Sequence, residues 1–474
     1  MDRGNKKLLS NVIYSGVAQL LFFIAPLLTT PYVARIFSAT ELGYYATSYS
    51  IAMFFVQLAS FGIPIYGSRK IAQIKSSELR TTTFFSIWFL QLVTTVVFFL
   101  CYLLLIFIFF RDNKIYFVQA FLILACITDI SWFFIGIEEI KKNIIRNFLS
   151  KLVTIVFIFL LIRQKSDLLL YTWINILGVF LGNISMVVQL KPFLIVTSQK
   201  KVLKKSMVLE SFGLLIPIMT DSAKNAFSRV VLATFGNYKD AGLFDQGLKI
   251  VQVLNGVLQS ITTAIMPRLT SLVAEKNYSE VFKLVDYFVK VSTFVITIII
   301  CGVISTSSYF VPLFFGPGYA SVSCLMDISS ISLLFTGLSF FLGKGLLLSF
   351  SKDKQFRIAT YISAGVLSIS NIMFVPFYGA VGASLSFVLS SIVYFVVIFF
   401  FLRLDISNTK VLNHVIYAIV VIAIWYFADT YILKMNINLE SNLSGFIIYG
   451  IIAIFGVTIL FLPKILKERV NLNK

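Results

Sequence analysis

Long blocks of hydrophobic residues alternate with short polar segments along the whole chain. A bilayer core about 30 Å thick requires about 20 apolar residues per helix, so blocks of this length predict membrane-spanning helices. The first block is too long, and too far from a small-residue cleavage site, for a removed signal peptide. The pattern predicts an all-α polytopic membrane protein with about 14 spans. These spans are 11–33, 41–65, 81–108, 115–137, 147–163, 168–190, 208–232, 240–266, 284–306, 320–348, 356–375, 380–402, 413–430 and 444–462.

The composition supports this prediction and narrows the function. Hydrophobic residues make up 58% of the 474 positions and charged residues 13%, about half of the roughly 25% typical of soluble domains. The polar segments are too short to form a soluble domain of ordinary size. The chain has no Walker loop and no dinucleotide-binding fingerprint. Ordinary cytosolic enzymes, disordered chains and secreted disulfide scaffolds are therefore excluded.

The net charge of +19 could indicate a nucleic-acid partner, so the positions of the basic residues matter. With the N-terminus placed inside, the inner segments hold 29 of the 40 Lys and Arg residues, and the outer loops hold seven. This asymmetry follows the positive-inside rule. We therefore expect both termini to be cytoplasmic and expect no nucleic-acid partner. The four basic residues left inside spans are Lys224, Arg229, Lys249 and Lys344.

Cysteine and histidine give no sign of a metal or disulfide framework. All four cysteines lie in apolar runs, which predicts buried small hydrophobic residues. The single histidine, His414, argues against His-based catalysis, and we expect it at a helix end near the inner interface. We expect no metal and no cofactor, apart from a possible coupling Na⁺ or H⁺.

A weak internal repeat predicts how the spans are grouped. A shift of 199 residues aligns Gly43 with Gly242 and Arg69 with Arg268, which superposes spans 1–2 on spans 7–8. Both pairs start on the same side, so the repeat axis would lie along the membrane normal. The repeat predicts an N-terminal lobe at 1–195, a second six-helix lobe at 205–403, and two additional spans at 411–463.

Three spans carry polar stripes that are costly in lipid, and such residues usually face a protein interior or a water-filled cavity. At about 100° per residue the stripes of spans 7 and 8 each fall within an arc of about 140° or less. They predict a central hydrophilic cavity, although interhelical hydrogen bonding is the alternative explanation. The stripe residues are Asn11, Ser15 and Gln19 in span 1, Asp221, Lys224, Asn225, Ser228 and Arg229 in span 7, and Asp245, Lys249, Gln252, Asn255 and Gln259 in span 8.

Basic groups outnumber acids on these stripes, which favours an anionic substrate. Local pairing of Asp221 with Lys224 or Asn225 remains open as an alternative to a functional role. The more isolated charges are expected in buried pairs or at helix ends, and the tyrosines of span 2 either stack on sugars or serve packing. These isolated residues are Asp129, Asp327 and Lys344, and the tyrosines are Tyr44, Tyr45 and Tyr49.

Several motifs resemble those of Wzx-type oligosaccharide flippases, the polysaccharide transporters of the MOP superfamily. The first is Asn11-Val-Ile-Tyr-Ser15, with Gln19, followed by Pro26-Leu-Leu-Thr-Thr-Pro31-Tyr-Val-Ala-Arg35. Span 2 then reads Glu41-Leu-Gly-Tyr-Tyr45 and ends near Tyr66-Gly-Ser-Arg69. Phe244-Asp245-Gln246, Lys249 and Met266-Pro-Arg268 resemble the eighth span of that family. The matches cover roughly 11–75 and 240–270.

The resemblance implies a two-lobe fold with a central cationic cavity, alternating access, and a location in a bacterial cytoplasmic membrane. It implies an undecaprenyl-pyrophosphate-linked sugar repeat unit as substrate, with membrane lipids, a polymerase and export machinery as partners. Lys249 matches a family lysine, and Asp245 stands where the family more often has Glu. Ser228-Arg229 stands where the family often has Asp-Lys, which puts an ion-coupling role there in doubt.

The sequence therefore predicts a non-enzymatic flippase that moves the repeat unit from the inner to the outer leaflet for surface polysaccharide assembly. The alternatives are a drug or cation antiporter of the same superfamily, a lipid-linked peptidoglycan-precursor flippase, and, in a different class, a membrane-embedded glycosyltransferase or polymerase. The predicted ion-coupling residues are Asp221 and Asp245. The predicted substrate-binding residues are Lys224, Arg229, Lys249, Asn225, Gln252, Asn255, Asn11, Gln19, Arg35 and Tyr45.

Overall fold

A computed structural model of the chain describes residues 26–195, 204–403, 410–430 and 442–472. These residues are almost entirely helical and include no β-strand. They form two compact units, Met1–Ala233 (unit 1) and Thr234–Lys474 (unit 2). The predicted all-α fold class is confirmed. The division falls at the end of the ninth helix, and the predicted lobe boundaries stay a prediction.

The first helix among the described residues of unit 1 covers 26–36 (α1). It continues with α2 (Ala39–Ser60), α3 (Ile63–Ala72), α4 (Ser77–Phe109), α5 (Lys114–Leu124), α6 (Ser131–Gly136), α7 (Ile140–Leu161), α8 (Leu168–Leu190) and α9 (Lys205–Phe235). Unit 2 contains α10 (Tyr238–Ala274), α11 (Tyr278–Phe315), α12 (Val322–Ser330), α13 (Ser332–Phe340), α14 (Asp353–Leu402), α15 (Val411–Ala428) and α16 (Asn442–Leu472). A π-helix, Phe341–Leu347, follows α13 directly.

Ten helical segments in the described ranges are long and apolar enough to cross a membrane. The bent pair formed by α12 and the continuous stretch Ser332–Leu347, with an angle of 43°, is an eleventh candidate. The 50 residues of α14 cover two predicted spans, 356–375 and 380–402, and non-helical dihedrals at Gly379 separate them. The multi-pass architecture is confirmed, whereas the number of fourteen spans stays a prediction.

The long helix α11 is the centre of unit 2. It packs against α10, α12 and α13 and also against the two C-terminal helices, α15 and α16. The indole Nε1 of Trp425 on α15 donates a hydrogen bond of 2.9 Å to Ser305 Oγ on α11. The predicted pair of additional spans is thus an integral part of unit 2, held mainly through α11.

Span 2 extends further than the predicted range of 41–65. Its helix breaks after Ser60, because Phe61 and Gly62 both adopt left-handed dihedrals (φ 51° and 72°), and it resumes as α3, which runs to Ala72. Pro64 lies in the first turn of α3, where its fixed φ favours a helix and its missing N–H costs no hydrogen bond. A hydropathy pattern cannot show this extension because α3 carries polar residues in its last turn.

Gly62 lies at a position of unit 1 that does not tolerate a side chain. A Cβ atom there would collide with the backbone carbonyl oxygen of Ser211 on α9, and the positive φ adds strain. We therefore expect Gly62→Ala to lower the melting temperature of the purified protein and to reduce its membrane yield severalfold. Gly213→Ala is the matched control, because its Cβ would meet no atom within 4 Å and alanine favours a helix. Equal melting temperatures for the two variants would contradict this account of the α2–α3 junction.

Candidate functional site

In unit 2, the polar stripe of α10 is organised around an ion pair. Lys249 Nζ lies 2.8 Å from Asp245 Oδ2, one helical turn away. The Asp245 side chain is 6% exposed, whereas that of Lys249 is 32% exposed. Burial of a carboxylate is costly unless a cation and hydrogen bonds compensate it, and Lys249 supplies that cation for Asp245. The pair leaves the Lys249 ammonium partly accessible for a further anionic group.

The rest of the α10 stripe is half-buried and partly tied to α13. Thr336 Oγ1 donates to Asn255 Oδ1 at 3.3 Å, while Gln252 is half-buried on the same helix. Gln246, next to Asp245, is almost fully buried, and its Oε1 accepts no hydrogen bond from the described residues. The polar stripe does not predict Gln246, because this residue lies outside the arc of the stripe. Its place in the Phe244-Asp245-Gln246 motif is the signal that could have identified it.

In unit 1, Arg229 of α9 approaches α2. Arg229 Nη1 lies 3.5 Å from Ser50 Oγ, a long hydrogen bond to a buried hydroxyl. Lys224 is half-buried on α9. Ser50 was not a predicted site residue because a contact between residues so distant in sequence leaves no local pattern. The side chains of Asp221 and Asn225 lie outside what the structure describes, so their predicted roles stay predictions.

Two tyrosines of α2 stack on each other. The rings of Tyr45 and Tyr49 are stacked with centroids 5.8 Å apart, and Tyr171 of α8 packs edge-on against Tyr45 at 4.8 Å. Tyr49 is 38% exposed and immediately precedes Ser50. The arrangement offers a partly exposed aromatic surface on α2. It fits either of the two roles predicted for these tyrosines.

Three predicted substrate-binding residues are not shown in either of these two contacts. Arg35 is an exposed residue near the end of α1. Asn11 and Gln19 lie outside the described residues, so the polar stripe predicted for span 1 stays a prediction. The structure therefore brings together Asp245 with Lys249, and separately Arg229 with Ser50 of α2.

Asp129 belongs to a structural cluster in unit 1. The helix is interrupted between α5 and α6, and Arg146 Nη1 lies 3.2 Å from Asp129 Oδ1. Side chains from neighbouring helices donate hydrogen bonds to the freed carbonyl groups. Trp88 donates to Ile127 O and Asn183 donates to Ala125 O. Asp129 is therefore in a partly buried ion pair, as expected for an isolated intramembrane acid.

The other isolated charges and the cysteines can also be placed. Lys344 is exposed, with Nζ 4.8 Å from the centre of the Phe340 ring. Asp327 is half-buried on α12. Cys126 and Cys301 are buried thiols as predicted, but Cys101 and Cys324 are exposed on helix surfaces, which corrects the prediction that all four are buried. In a membrane-spanning helix, the residues that face lipid are as apolar as those that face the protein. An apolar run therefore predicts the helix but not which of its residues are buried.

His414 lies near the start of α15 and is almost fully buried. Its Nε2 lies 3.5 Å from Asp286 Oδ1 on α11. Among the described residues, no group of three or more His, Cys, Asp or Glu side chains could hold a metal ion. The expectation that the chain uses no metal or cofactor stays a prediction.

Comparisons with known proteins place these features in a family. The model of the family described as "Polysaccharide biosynthesis protein" matches residues 8–273, more than half of the chain. The chain belongs to this family. The match includes the α2 tyrosines, Arg229 on α9 and the Asp245–Lys249 pair on α10.

Two curated relatives cover most of the chain. One is the "Putative O-antigen transporter" of Escherichia coli (strain K12), which is 24% identical over 387 residues and covers 78% of this chain and 90% of its own length. The other, with the same name, is from Shigella dysenteriae and is 20% identical over 377 residues, covering 78% of this chain and 93% of its own length.

Solved structures show the fold. The lipid II flippase MurJ in an inward closed conformation superposes with a TM-score of 0.71 over 97% of this chain and all of that chain, at 14% identity. An inward-facing multidrug resistance MATE family transporter of the MOP superfamily gives 0.67 over 82% of this chain and 95% of that chain, also at 14% identity. The fold predicted from the MOP-superfamily resemblance is therefore confirmed.

Proposed function

We propose that the protein is a flippase that moves undecaprenyl-pyrophosphate-linked oligosaccharide repeat units from the inner to the outer leaflet. The family match over 8–273 carries this proposal, and the named activity of the two curated relatives supports it. No bond of the substrate is made or broken, so no nucleophile or general base is needed. The repeat unit delivered to the outer leaflet is used for surface polysaccharide assembly, with a polymerase and export machinery as partners.

The physical task is to carry a large polar head group through hydrocarbon. A polar interior removes most of the desolvation cost, while the prenyl chain stays in lipid. Alternating access would then expose the same polar surface first to the inner and then to the outer side. An inside-negative membrane potential favours outward movement of an anion by about 2.3 kcal/mol per charge per 100 mV.

Basic residues of the polar stripes are the proposed ligands of the pyrophosphate. Lys249 in unit 2 and Arg229 with Lys224 in unit 1 would donate charge-assisted hydrogen bonds to the pyrophosphate. Asp245 would hold the Lys249 ammonium in place, at the observed 2.8 Å. The stacked Tyr45 and Tyr49 rings would contact sugar faces. The polar groups of Asn225, Gln252, Asn255, Asn11, Gln19 and Arg35 would complete the head-group contacts.

Two carboxylates are proposed to couple transport to an ion. Asp221 and Asp245 would bind Na⁺ or H⁺, and for Asp245 this would compete with the Lys249 contact. The protein would act in the cytoplasmic membrane of a bacterium with both termini cytoplasmic, as the basic residue distribution predicts.

Deletion of the gene in its native host tests the proposal. We expect loss of surface polysaccharide and accumulation of a lipid-linked repeat unit that is inaccessible to glycosidases outside intact cells. Expression of the chain from a plasmid should restore both. Normal surface polysaccharide in the deletion strain, combined with sensitivity to cationic drugs, would instead favour the antiporter alternative.

A further inference from the structure

Unit 2 contains a lysine inside a span, Lys344, that the proposed head-group site does not use. It lies in the π-helix that follows α13, near the end that the predicted orientation places on the cytoplasmic side. This part of the chain is otherwise buried. Among residues 332–347, all except Thr336, Phe340 and Lys344 are buried, and Lys344 is the most exposed of the three. These residues follow one another at intervals of four and form a single accessible strip (the strip).

The π-helix brings Lys344 onto this strip. In a regular α-helix, a residue eight positions after Thr336 would be rotated away from it by about 80°, at 100° per residue. A π-helix has i→i+5 hydrogen bonds and therefore more residues per turn, so Lys344 lies closer in line with Thr336 and Phe340. Lys344 Nζ accordingly lies 4.8 Å from the centre of the Phe340 ring. Such π-helical turns are frequent at functional sites.

The two glycines beside Lys344 show which way the strip faces. On one side, a Cβ atom on Gly343 would lie 3.1 Å from Ile398 Cδ1 of α14. On the other side, a Cβ atom on Gly345 would lie 3.7 Å from Leu269 Cδ2 of α10. The side chain between these two glycines therefore points into the opening between α10 and α14.

The polar stripe of α10 runs beside the strip. Thr336, at one end of the strip, donates to Asn255 of the stripe at 3.3 Å. Toward the cytoplasmic end the stripe continues through Thr263 and Thr270, both exposed, which lie within an arc of about 80° with Asn255 at 100° per residue. Thr270 Oγ1 lies 3.1 Å from Ser349 Oγ, just after the π-helix. The strip and the stripe therefore border the same opening over several helical turns.

An exposed ammonium group at this place is suited to an anion. Charged residues inside spans usually face a protein interior or a water-filled cavity, because lipid cannot solvate the charge. The described part of the chain shows no ion pair and no hydrogen bond for Lys344, whose contact is with the Phe340 ring. The ammonium has three N–H donors, and these can form charge-assisted hydrogen bonds to phosphate oxygens.

We infer that Lys344 is a second anion site of unit 2, where the diphosphate of the lipid-linked substrate binds before it reaches Lys249. Lys249 lies six residues before Asn255, and Lys344 lies eight residues after Thr336, so the two lysines are about 20 Å apart along the helix axes. One diphosphate group cannot contact both at this separation, so the two contacts are successive. The inference rests on the proposed function and assigns its loading step to a named residue.

A cysteine placed on the strip tests this inference. Phe340→Cys puts a thiol one turn from Lys344, and its rate of reaction with a membrane-impermeant methanethiosulfonate measures access from water. Ile454→Cys is the control for contact with lipid, because Ile454 is a 50% exposed apolar residue of α16. The proteins are reconstituted in phosphatidylcholine nanodiscs, alone or with an equal mole fraction of either undecaprenyl diphosphate or phosphatidylglycerol. Peptide mapping by mass spectrometry assigns the modification to the introduced cysteine.

We expect Phe340→Cys to react at least about tenfold faster than Ile454→Cys, because the reactive thiolate forms in water and not in lipid. Undecaprenyl diphosphate should slow the reaction at least about fivefold by binding to the neighbouring ammonium. Adding Lys344→Ala should abolish this protection, whereas Lys344→Arg should retain it because the charge is kept. Lys354→Ala, which removes an exposed lysine in the first turn of α14, should also retain it.

Four results would overturn the inference. Equal reaction rates at the two cysteines would mean that the strip does not open to water. Failure of undecaprenyl diphosphate to protect Phe340→Cys would mean that no diphosphate binds there. Undiminished protection in the Lys344→Ala protein would show that the lysine is not the ligand. Protection of equal size by phosphatidylglycerol would mean that the strip binds bulk anionic lipid.

The protection experiment uses a polyprenyl diphosphate without sugar, so it separates this inference from the proposed function. Protection that depends on Lys344, in a protein that does not flip glycan-linked lipid, would refute the proposed function and leave the diphosphate site. Glycan flipping without such protection would refute only the assignment of Lys344.

Discussion

Replacing Lys249 by alanine is expected to reduce transport of the lipid-linked glycan by about 100-fold. Loss of a charge-assisted hydrogen bond to the pyrophosphate corresponds to about 3 kcal/mol, and 1.4 kcal/mol is tenfold. The variant also leaves the nearly buried Asp245 carboxylate without its lysine, and breaking a buried pair in this way costs about 3–5 kcal/mol of stability. Transport is therefore measured per molecule of folded protein in the membrane.

A double variant separates the transport role of Lys249 from its structural role. Asp245→Asn with Lys249→Gln removes both charges, so no buried charge is left uncompensated. We expect this protein to insert and fold at the wild-type level and still fail to transport. Lys283→Ala is the control for removing a lysine from a local ion pair, because Lys283 and Glu280 are exposed and 3.0 Å apart. Wild-type transport by the double variant would show that the pair is only structural.

Replacing Arg229 by alanine is expected to reduce transport by about 30-fold. The guanidinium lies 3.5 Å from the buried Ser50 hydroxyl of α2, which is long for a hydrogen bond. A long hydrogen bond contributes little to stability, so the main loss should be the positive charge offered to the pyrophosphate. Plasmid complementation of the deletion strain measures the effect. The amount of surface polysaccharide is divided by the amount of the variant protein in the membrane.

Two further substitutions show which property of Arg229 is used. Arg229→Lys retains the charge and should keep at least about a tenth of the activity, with the rest lost because lysine cannot bind phosphate bidentately. Ser50→Ala removes the observed partner and should keep transport within about threefold of wild type. If Ser50→Ala were as defective as Arg229→Ala, positioning of α9 on α2 would be the relevant function of the contact.

The sequence predicts the helical architecture well because hydropathy reports burial in lipid directly. The positions of breaks are less predictable. Gly379 divides α14 and has a positive φ, which glycine permits. An isolated glycine in an apolar run is not enough to predict such a break from the sequence. Phe61 adopts φ 51° against the usual preference of an aromatic residue, so only the packed structure shows where α2 ends.

The candidate site is predictable only where its contacts are local. Asp245 and Lys249 are four residues apart on one helix, so their pairing follows from the sequence spacing. The partners Ser50 and Thr336 are separated from Arg229 and Asn255 by 179 and 81 residues, and no periodicity connects them. The aromatic and polar donors that support the α5–α6 break, such as Trp88, escape sequence reasoning for the same reason.

The most direct test of the central claim is glycan flipping by the purified protein in liposomes. A radiolabelled oligosaccharide on undecaprenyl pyrophosphate is distributed over both leaflets, and a membrane-impermeant glycosidase is added outside. Protein-free liposomes should release about half of the label. We predict that liposomes containing the protein release nearly all of it, and that the Asp245→Asn, Lys249→Gln variant behaves like protein-free liposomes. Release of only half of the label by the wild-type protein, with and without an imposed membrane potential, would contradict the flippase assignment.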